Sequence, residues 1–375
     1  MATTSDAGTR PTPQTTWMVG TRKGLFFVCD DQVVHRQFLG EPVTAVLHDR
    51  RDATIYVALN HGHFGQKLHR SDDGGATFTE IEAPRYPPKP DGLVDIEPMR
   101  QLPVPWSVEL IWSLAAGHPD EPGTLWCGTI PGGLFRSDDR GDSWSLVEAL
   151  WNDERRSQWV GGGYDFPGIH SIAVDPRGPG RLVVSVSCGG TWRTADGGAS
   201  WEVLTGMRNE YMPPGQEYDP VDQDPHRTVR APSDPNVLWT QHHNGVFRST
   251  DAGTTWEELE VPPSSFGFAV AVHPHDADTA WFVPAVKDEY RIPVDGALVV
   301  ARTRDGGATF DVARAGLPQI DAYHLVYRHA FDVDATGDRL MMGSTTGTLF
   351  ASDDAGDTWR RVTGDLPPIA VVAAI

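Results

Sequence analysis

The chain has 375 residues, and its 51 Asp plus Glu against 31 Lys plus Arg give a formal net charge of −20. A field of that sign repels nucleic acid and anionic membranes, so neither is expected as a partner. With 39% hydrophobic residues and 13 Trp, 39 Gly and 30 Pro, the composition excludes global disorder and describes a turn-rich chain with material for a large core.

Residues 1–16, MATTSDAGTRPTPQTT, lack the basic start and apolar middle of a signal peptide and read as a disordered leader. No run reaches the roughly 18 consecutive apolar residues of a membrane helix. Cys29, Cys127 and Cys188 are scattered and odd in number, which argues against a disulfide framework and for a cytoplasmic location.

The first β-rich unit is WMVGTRKGLFFV at 17–28, closed by the turn CDDQ. After it, one octet recurs six times: SDDGGATF from Ser71, SDDRGDSW from Ser137, TADGGASW from Thr194, STDAGTTW from Ser249, TRDGGATF from Thr303 and SDDAGDTW from Ser352. Every copy keeps Ser/Thr, any, Asp, any, Gly, any, Ser/Thr, Phe/Trp, with the aspartate at Asp73, Asp139, Asp196, Asp251, Asp305 and Asp354. Short β-branched and aromatic runs precede each octet, as in HSIAVDP, RLVVSVS and GTWRT before Thr194. Such runs separated by Gly/Pro/Asp turns are strands, and each unit reads as a four-stranded antiparallel meander. In the octet, Gly supplies positive φ, the Asp and Ser/Thr oxygens take up turn N–H groups, and the final aromatic starts the outer strand. The D-x-D-x-D-G spacing of a calcium loop is missing.

Stacked meanders of this period predict an all-β fold, a β-propeller, with residues 17–375 as one domain. The first unit lacks an inner strand, and the chain ends in an unassigned apolar run, IAVVAAI at 369–375. Pairing the two closes the ring at seven blades and leaves no open edge.

The octets resemble the Asp box, or bacterial neuraminidase repeat, of sialidases, sortilin-type receptors and several glycoside hydrolases, placing the chain beside WD40/YVTN/BNR-like repeat proteins. The resemblance spans residues 17–375 and implies a propeller whose boxes lie on the rim away from an active face. It also implies a glycoside-hydrolase-like activity on a carbohydrate or similar polar small molecule. Sialidases carry an Arg-Ile-Pro motif early in the propeller. Here YRIP at 290–293 falls in the sixth unit, and neither an arginine triad nor a Tyr–Glu pair can be assigned, so exo-sialidase activity is not expected.

A propeller's ligand site is expected at the mouth of the central channel, built from long inter-blade segments; here these are 83–109, 149–168 and 206–224. They and their neighbours carry carboxylates and aromatics suited to a polyhydroxylated ligand. Asp165, Glu210 and Asp321 are the acid/base candidates, beside Asp219, Asp222, Asp224, Asp288 and Glu289. Trp159, Tyr211, Arg227, Lys287, Arg291 and Arg328 are candidates for substrate binding. Aligning inner strands on their Pro turns puts His170, His226 and His329 in one column, with Val43, Ser113 and Phe268 in the other blades. His61, His63, His242 and His243 fall in loops of the same face, though only one of the adjacent pair His242 and His243 can look inward. A cluster of neutral imidazoles could hold a divalent transition metal or act as a general acid/base, so a metal-dependent hydrolase or lyase is a further reading. No cofactor is otherwise implied. A non-catalytic assembly scaffold is the other alternative, and oligomeric state and substrate are not encoded in any motif.

Overall fold

The computed structural model describes residues 15–375, so most of the expected leader lies outside the described residues. Thr15 and Thr16 do not belong to it. The Thr15 hydroxyl donates to Asp334 Oδ2 at 2.7 Å, and Thr16 O accepts from Ile375 N at 2.9 Å. Seven four-stranded antiparallel sheets follow one another as blades. The inner strands of blades 2 to 7 are Val43–Asp49, Leu110–Ala116, Ile169–Val174, Pro225–Arg230, Gly267–Val272 and Phe331–Val333. Each packs beside the next around a central channel.

Blade 1 takes its inner strand from the other end of the chain. Ile369–Ala374 pairs antiparallel with Trp17–Thr21, setting Val19 opposite Val372 and Met18 opposite Ala373. Both strands are apolar and buried, so the closing contact is a hydrogen-bonded ladder with hydrophobic faces on either side. On the outer side, Arg360 of blade 7 forks onto Asp31 of blade 1 at 2.6 and 2.9 Å.

Between blades the core is built from large aromatics. Trp126, Trp192, Trp239 and Trp281 are almost fully buried. Two of their indole N–H groups cross to the next blade, from Trp239 to Ala277 O (3.0 Å) and from Trp281 to Ala355 O (2.9 Å). Each indole thus buries a large apolar surface and satisfies its one donor.

The repeated octets do in the structure what their chemistry demands. In the first, the Ser71 hydroxyl donates to Asp73 Oδ1 (2.8 Å) and accepts from Gly75 N (2.9 Å). Asp73 then accepts from Thr77 N and Thr77 Oγ1 at 2.9 and 2.7 Å. Gly75 sits at φ +89°, and Gly141, Gly198, Gly253, Gly307 and Gly356 occupy the same region in the other copies. A carboxylate that accepts several N–H and O–H bonds is stabilised in its charged form. Hydrogen bonds from Thr77 and Ser71 accordingly bring Asp73 down to about 2, and those from Ser200 and Thr194 bring Asp196 to about 2. The remaining four box aspartates are lowered as well.

Two outcomes follow for stability. Folded-state pKa values below the ordinary 3.8 make the boxes stabilising above about pH 4, with that contribution lost as pH falls towards 2. The midpoint of urea unfolding should therefore be flat from pH 7 to 5 and fall between pH 4 and 2, less steeply in Asp73→Asn/Asp196→Asn protein. Deleting 369–375 exposes two strand edges and is expected to abolish cooperative thermal unfolding, read by calorimetry.

Candidate functional site

The mouth of the channel is shaped by β-bulges. In blade 4 Ile169 pairs with Val186 and Ser171 with Ser185, leaving His170 as the extra residue. In blade 5 Pro225 pairs with His242 and Arg227 with Gln241, leaving His226. Blades 2 and 3 bulge at Thr44 and Trp112, and blade 6 between Gly267 and Val270, where Phe268 lies. A bulge re-aims a side chain that the pleat would otherwise assign to one blade face. The Pro-turn alignment finds His170, His226 and Phe268 but is off by one residue at Val43 and Ser113. The equivalent positions are Thr44 and Trp112.

The histidines of that column do not form one ligand set. His170 is fully buried; its Nδ1 meets Ser171 Oγ at 2.9 Å, and its ring lies edge-on to Trp112. His329 Nε2 donates to His170 O at 2.8 Å. Burial holds both imidazoles well below their ordinary pKa. His61 and His63 belong to a short exposed turn, where His61 lies 3.3 Å from Glu41. His242 is buried within blade 5, and its Nε2 accepts from Asp224 N at 3.0 Å. Of the adjacent pair, His243 is the one that faces the mouth.

What converges there is Asp224, His226 and His243. Asp224 ends the long 206–224 segment, His226 is the bulge residue two positions on, and His243 comes from the loop between the second and third strands of blade 5. His243 Nδ1 lies 3.0 Å and His226 Nε2 3.6 Å from Asp224 Oδ2. Asp224 Oδ1 accepts from Cys188 N at 3.2 Å. His226 stacks on Phe268 with centroids 4.4 Å apart and meets His243 edge-on at 5.3 Å, while Tyr211 stands edge-on to His243 at 4.8 Å. Burial alone would raise the Asp224 carboxyl, and the hydrogen bond and charge of His243 at 3.0 Å act against it. Burial lowers His226. It also opposes the charged form of His243, yet the hydrogen bond and charge of Asp224 outweigh it and raise that ring. Cys188, absent from the sequence candidates, has its thiol pushed up by burial and by Asp224.

Arg328 completes the wall. Its guanidinium lies over Trp112 at 4.9 Å and over Phe268 at 5.2 Å, and its buried Nε has no hydrogen-bond partner among the described residues. The other basic candidates are engaged. Arg291 pairs with Asp288 at 2.5 Å, and Lys287 with Glu289 at 3.4 Å. Arg227 lies deeper, donating to His170 O at 3.5 Å and lining a channel cavity of about 160 Å³ with Asp332 and His329. Burial lowers Arg227 to about 10 and raises the Asp332 carboxyl.

The carboxylate candidates are exposed at the outer edge of the mouth, each on a different inter-blade segment. Asp165 is exposed and 3.8 Å from Arg100; Glu210 is exposed and 3.7 Å from Arg208; Asp321 is exposed at positive φ. Glu210, Asp288 and Glu289 surround Tyr211 closely enough to act on its hydroxyl, which burial raises first and these charges raise further. Trp159 is a correction: it is 2% exposed and meets Trp192 edge-on at 5.5 Å, so it is core and offers no face to a ligand. The 149–168 segment carrying it folds back under its own apolar side chains.

A guanidinium buried between two rings with no ion pair within 4 Å among the described residues is a poor device for stability, because the more distant Asp224 charge offsets its desolvation only in part. Arg328→Met is expected to melt within about 2 °C of the wild type or above it, measured by calorimetry; a structural arginine would cost more.

No family model matches the chain. It is 26% identical over 259 residues to a xyloglucanase of a Paenibacillus species, covering 62% of this chain and 23% of that protein. It is 25% identical over 293 residues to a probable oligoxyloglucan-reducing end-specific xyloglucanase of Neosartorya fischeri, covering 70% of this chain and 32% of that one. The chain thus spans about a quarter to a third of the length of these relatives. Among solved structures, the GH74 enzyme of Niastella koreensis superposes with a TM-score of 0.64 at 18% identity, over 94% of this chain and 52% of that one. YCF48 from Cyanidioschyzon merolae gives 0.54 at 14%, over 94% and 90%. The chain is a seven-bladed propeller whose sequence relatives are glycoside hydrolases, the xyloglucanases.

Proposed function

We propose that this protein is a glycoside-hydrolase-like enzyme that takes a carbohydrate or a similar polyhydroxylated molecule at the channel mouth. The observation that carries the reading is the wall around Asp224: the exposed rings of Tyr211 and of Tyr164, which stands edge-on to Trp112, offer faces, while Arg328 and His243, backed by the buried Phe268 and Trp112, offer donors. Apolar sugar faces stack on rings, and hydroxyls bond to fixed polar groups, which is the mixture found here. The xyloglucanase relatives support a glycan over other polar ligands.

For the chemistry, hydrolysis of a glycosidic bond needs one carboxyl group to protonate the leaving oxygen and a second carboxylate to activate water. Glu210 and Asp288 are the pair favoured by position, since both lie beside Tyr211 at the entrance and Asp288 also faces His243. Asp165 and Asp321 approach from other blades and suit outer contacts with a longer chain. Reducing-end release from xyloglucan oligosaccharides and a panel of other glycans tests the activity. Glu210→Gln and Asp288→Asn are each expected to lower kcat by about 10²-fold or more, while Tyr211→Ala raises KM with a smaller effect on kcat. Turnover of no glycan in the panel, together with no glycan binding by calorimetry, would overturn the reading.

A second reading is favoured by one feature. The 83–109 segment exposes Val94 at 81% and Met99 at 65%, with Leu93, Ile96 and Leu102 around them. A clustered apolar knob on the loop face suits an assembly partner. Val94→Asp/Met99→Asp should leave hydrolysis unchanged and abolish any complex recovered with the wild type.

A further inference from the structure

We infer that Asp224, His226 and His243 form a binding site for one divalent transition-metal ion at the channel mouth. Nothing in the glycan reading requires such an ion, and the proposal goes beyond it.

The argument starts from the direction of a lone pair. His226 Nδ1 lies 2.6 Å from Gly267 O, and a carbonyl can only accept, so Nδ1 carries the ring proton. In the neutral ring Nε2 is then left with its lone pair, facing Asp224 Oδ2 across 3.6 Å. That distance is too long for a hydrogen bond, and both atoms are electron-rich. Two buried acceptors facing each other, with side chains only 3% and 13% exposed, call for a cation between them.

The third donor stands at the same point. His243 Nδ1 is 3.0 Å from the same Asp224 oxygen, and donor atoms of all three residues lie within 4.8 Å of one another. An ion about 2.0–2.2 Å from each tetrahedral ligand places neighbouring donors about 3.3–3.6 Å apart; the observed 3.6 Å meets that spacing, and the observed 3.0 Å needs a small opening to reach it. The ion would displace the proton now shared by His243 Nδ1 and Asp224.

The supporting contacts are those that fix metal ligands. A ligating imidazole ordinarily donates its other N–H to a carbonyl, as His226 does to Gly267. Asp224 is held through Oδ1 by the Cys188 N–H. Phe268 stacks against His226, and Tyr211 buttresses His243 from the solvent side. Two imidazoles and one carboxylate are a donor set for zinc or a neighbouring transition ion, not for calcium or magnesium, which take oxygen. Three protein ligands leave a coordination position for water or a substrate oxygen. Arg328, close enough to influence both His226 and Asp224, could neutralise an anion bound there.

The test uses the full chain, dialysed against chelator and titrated with Zn(II) by calorimetry and with Co(II) by visible absorption. One equivalent should bind, with the d–d bands of a four- or five-coordinate Co(II) site, while Ca(II) and Mg(II) do not compete. Asp224→Asn, His226→Ala and His243→Ala should each weaken binding at least 100-fold, and His61→Ala/His63→Ala should leave it unchanged. Near-UV circular dichroism checks folding; should His226→Ala not fold, His243→Ala on the more exposed ring decides. Absence of saturable binding below about 100 μM, or binding insensitive to His243→Ala, overturns the site. Glycan binding by the metal-free protein is measured separately, so the loss of either reading leaves the other standing.

Discussion

Everything in this molecule depends on the pairing of Ile369–Ala374 with Trp17–Thr21. Six complete meanders form an open arc with two unpaired edges, and an open arc has no defined axis. The C-terminal strand supplies the missing inner strand of blade 1 and converts the arc to a ring. Only then do seven inner strands face one another, and only then do the bulged residues of separate blades meet at a common mouth. A ladder formed between residues more than 340 positions apart is entropically late, because loop closure must precede any gain from it.

The two faces of the ring carry different physics. On the rim, the octets are self-contained: each Asp takes its donors from its own turn, so six nearly identical motifs fold six nearly identical corners. At the mouth the side chains vary from blade to blade. The bulge residues are Thr44, Trp112, His170 and His226, with Phe268 in the blade 6 bulge, so a repeated backbone device presents four kinds of side chain from five blades. The repeat provides the frame, and its unrepeated positions provide the chemistry.

The mouth is also where the structure carries groups that do nothing for folding. Arg328 is desolvated between two rings with only a partial offset from Asp224, and the His226 lone pair faces a carboxylate. Each is unfavourable in isolation and each becomes favourable when a ligand of opposite demand arrives, an anion in one case and a cation in the other. Proteins keep such groups where binding needs a prepared surface.

The octet, with its Gly, Asp and terminal aromatic, determined the blade corners from sequence alone, because every atom that satisfies the turn comes from within eight residues. The strand runs and the apolar tail at 369–375 determined the seven-bladed closure for a similar reason: an unpaired apolar strand and a blade lacking one have a single mutual solution. The site was legible only in its residue types. His226 and His243 stand out as imidazoles on the right face, and Asp224 as one carboxylate among many. Which of them converge was decided by bulges, which shift a side chain by one position without any signature in the chain, hence Thr44 and Trp112 where Val43 and Ser113 were expected. Trp159 looked like a ligand platform because long loops are usually solvated, yet the 149–168 segment buries it against Trp192. Cys188, whose backbone holds Asp224 from a neighbouring blade, had no local signal at all. Contacts within a turn are written in sequence; contacts across a channel exist only once the ring has closed.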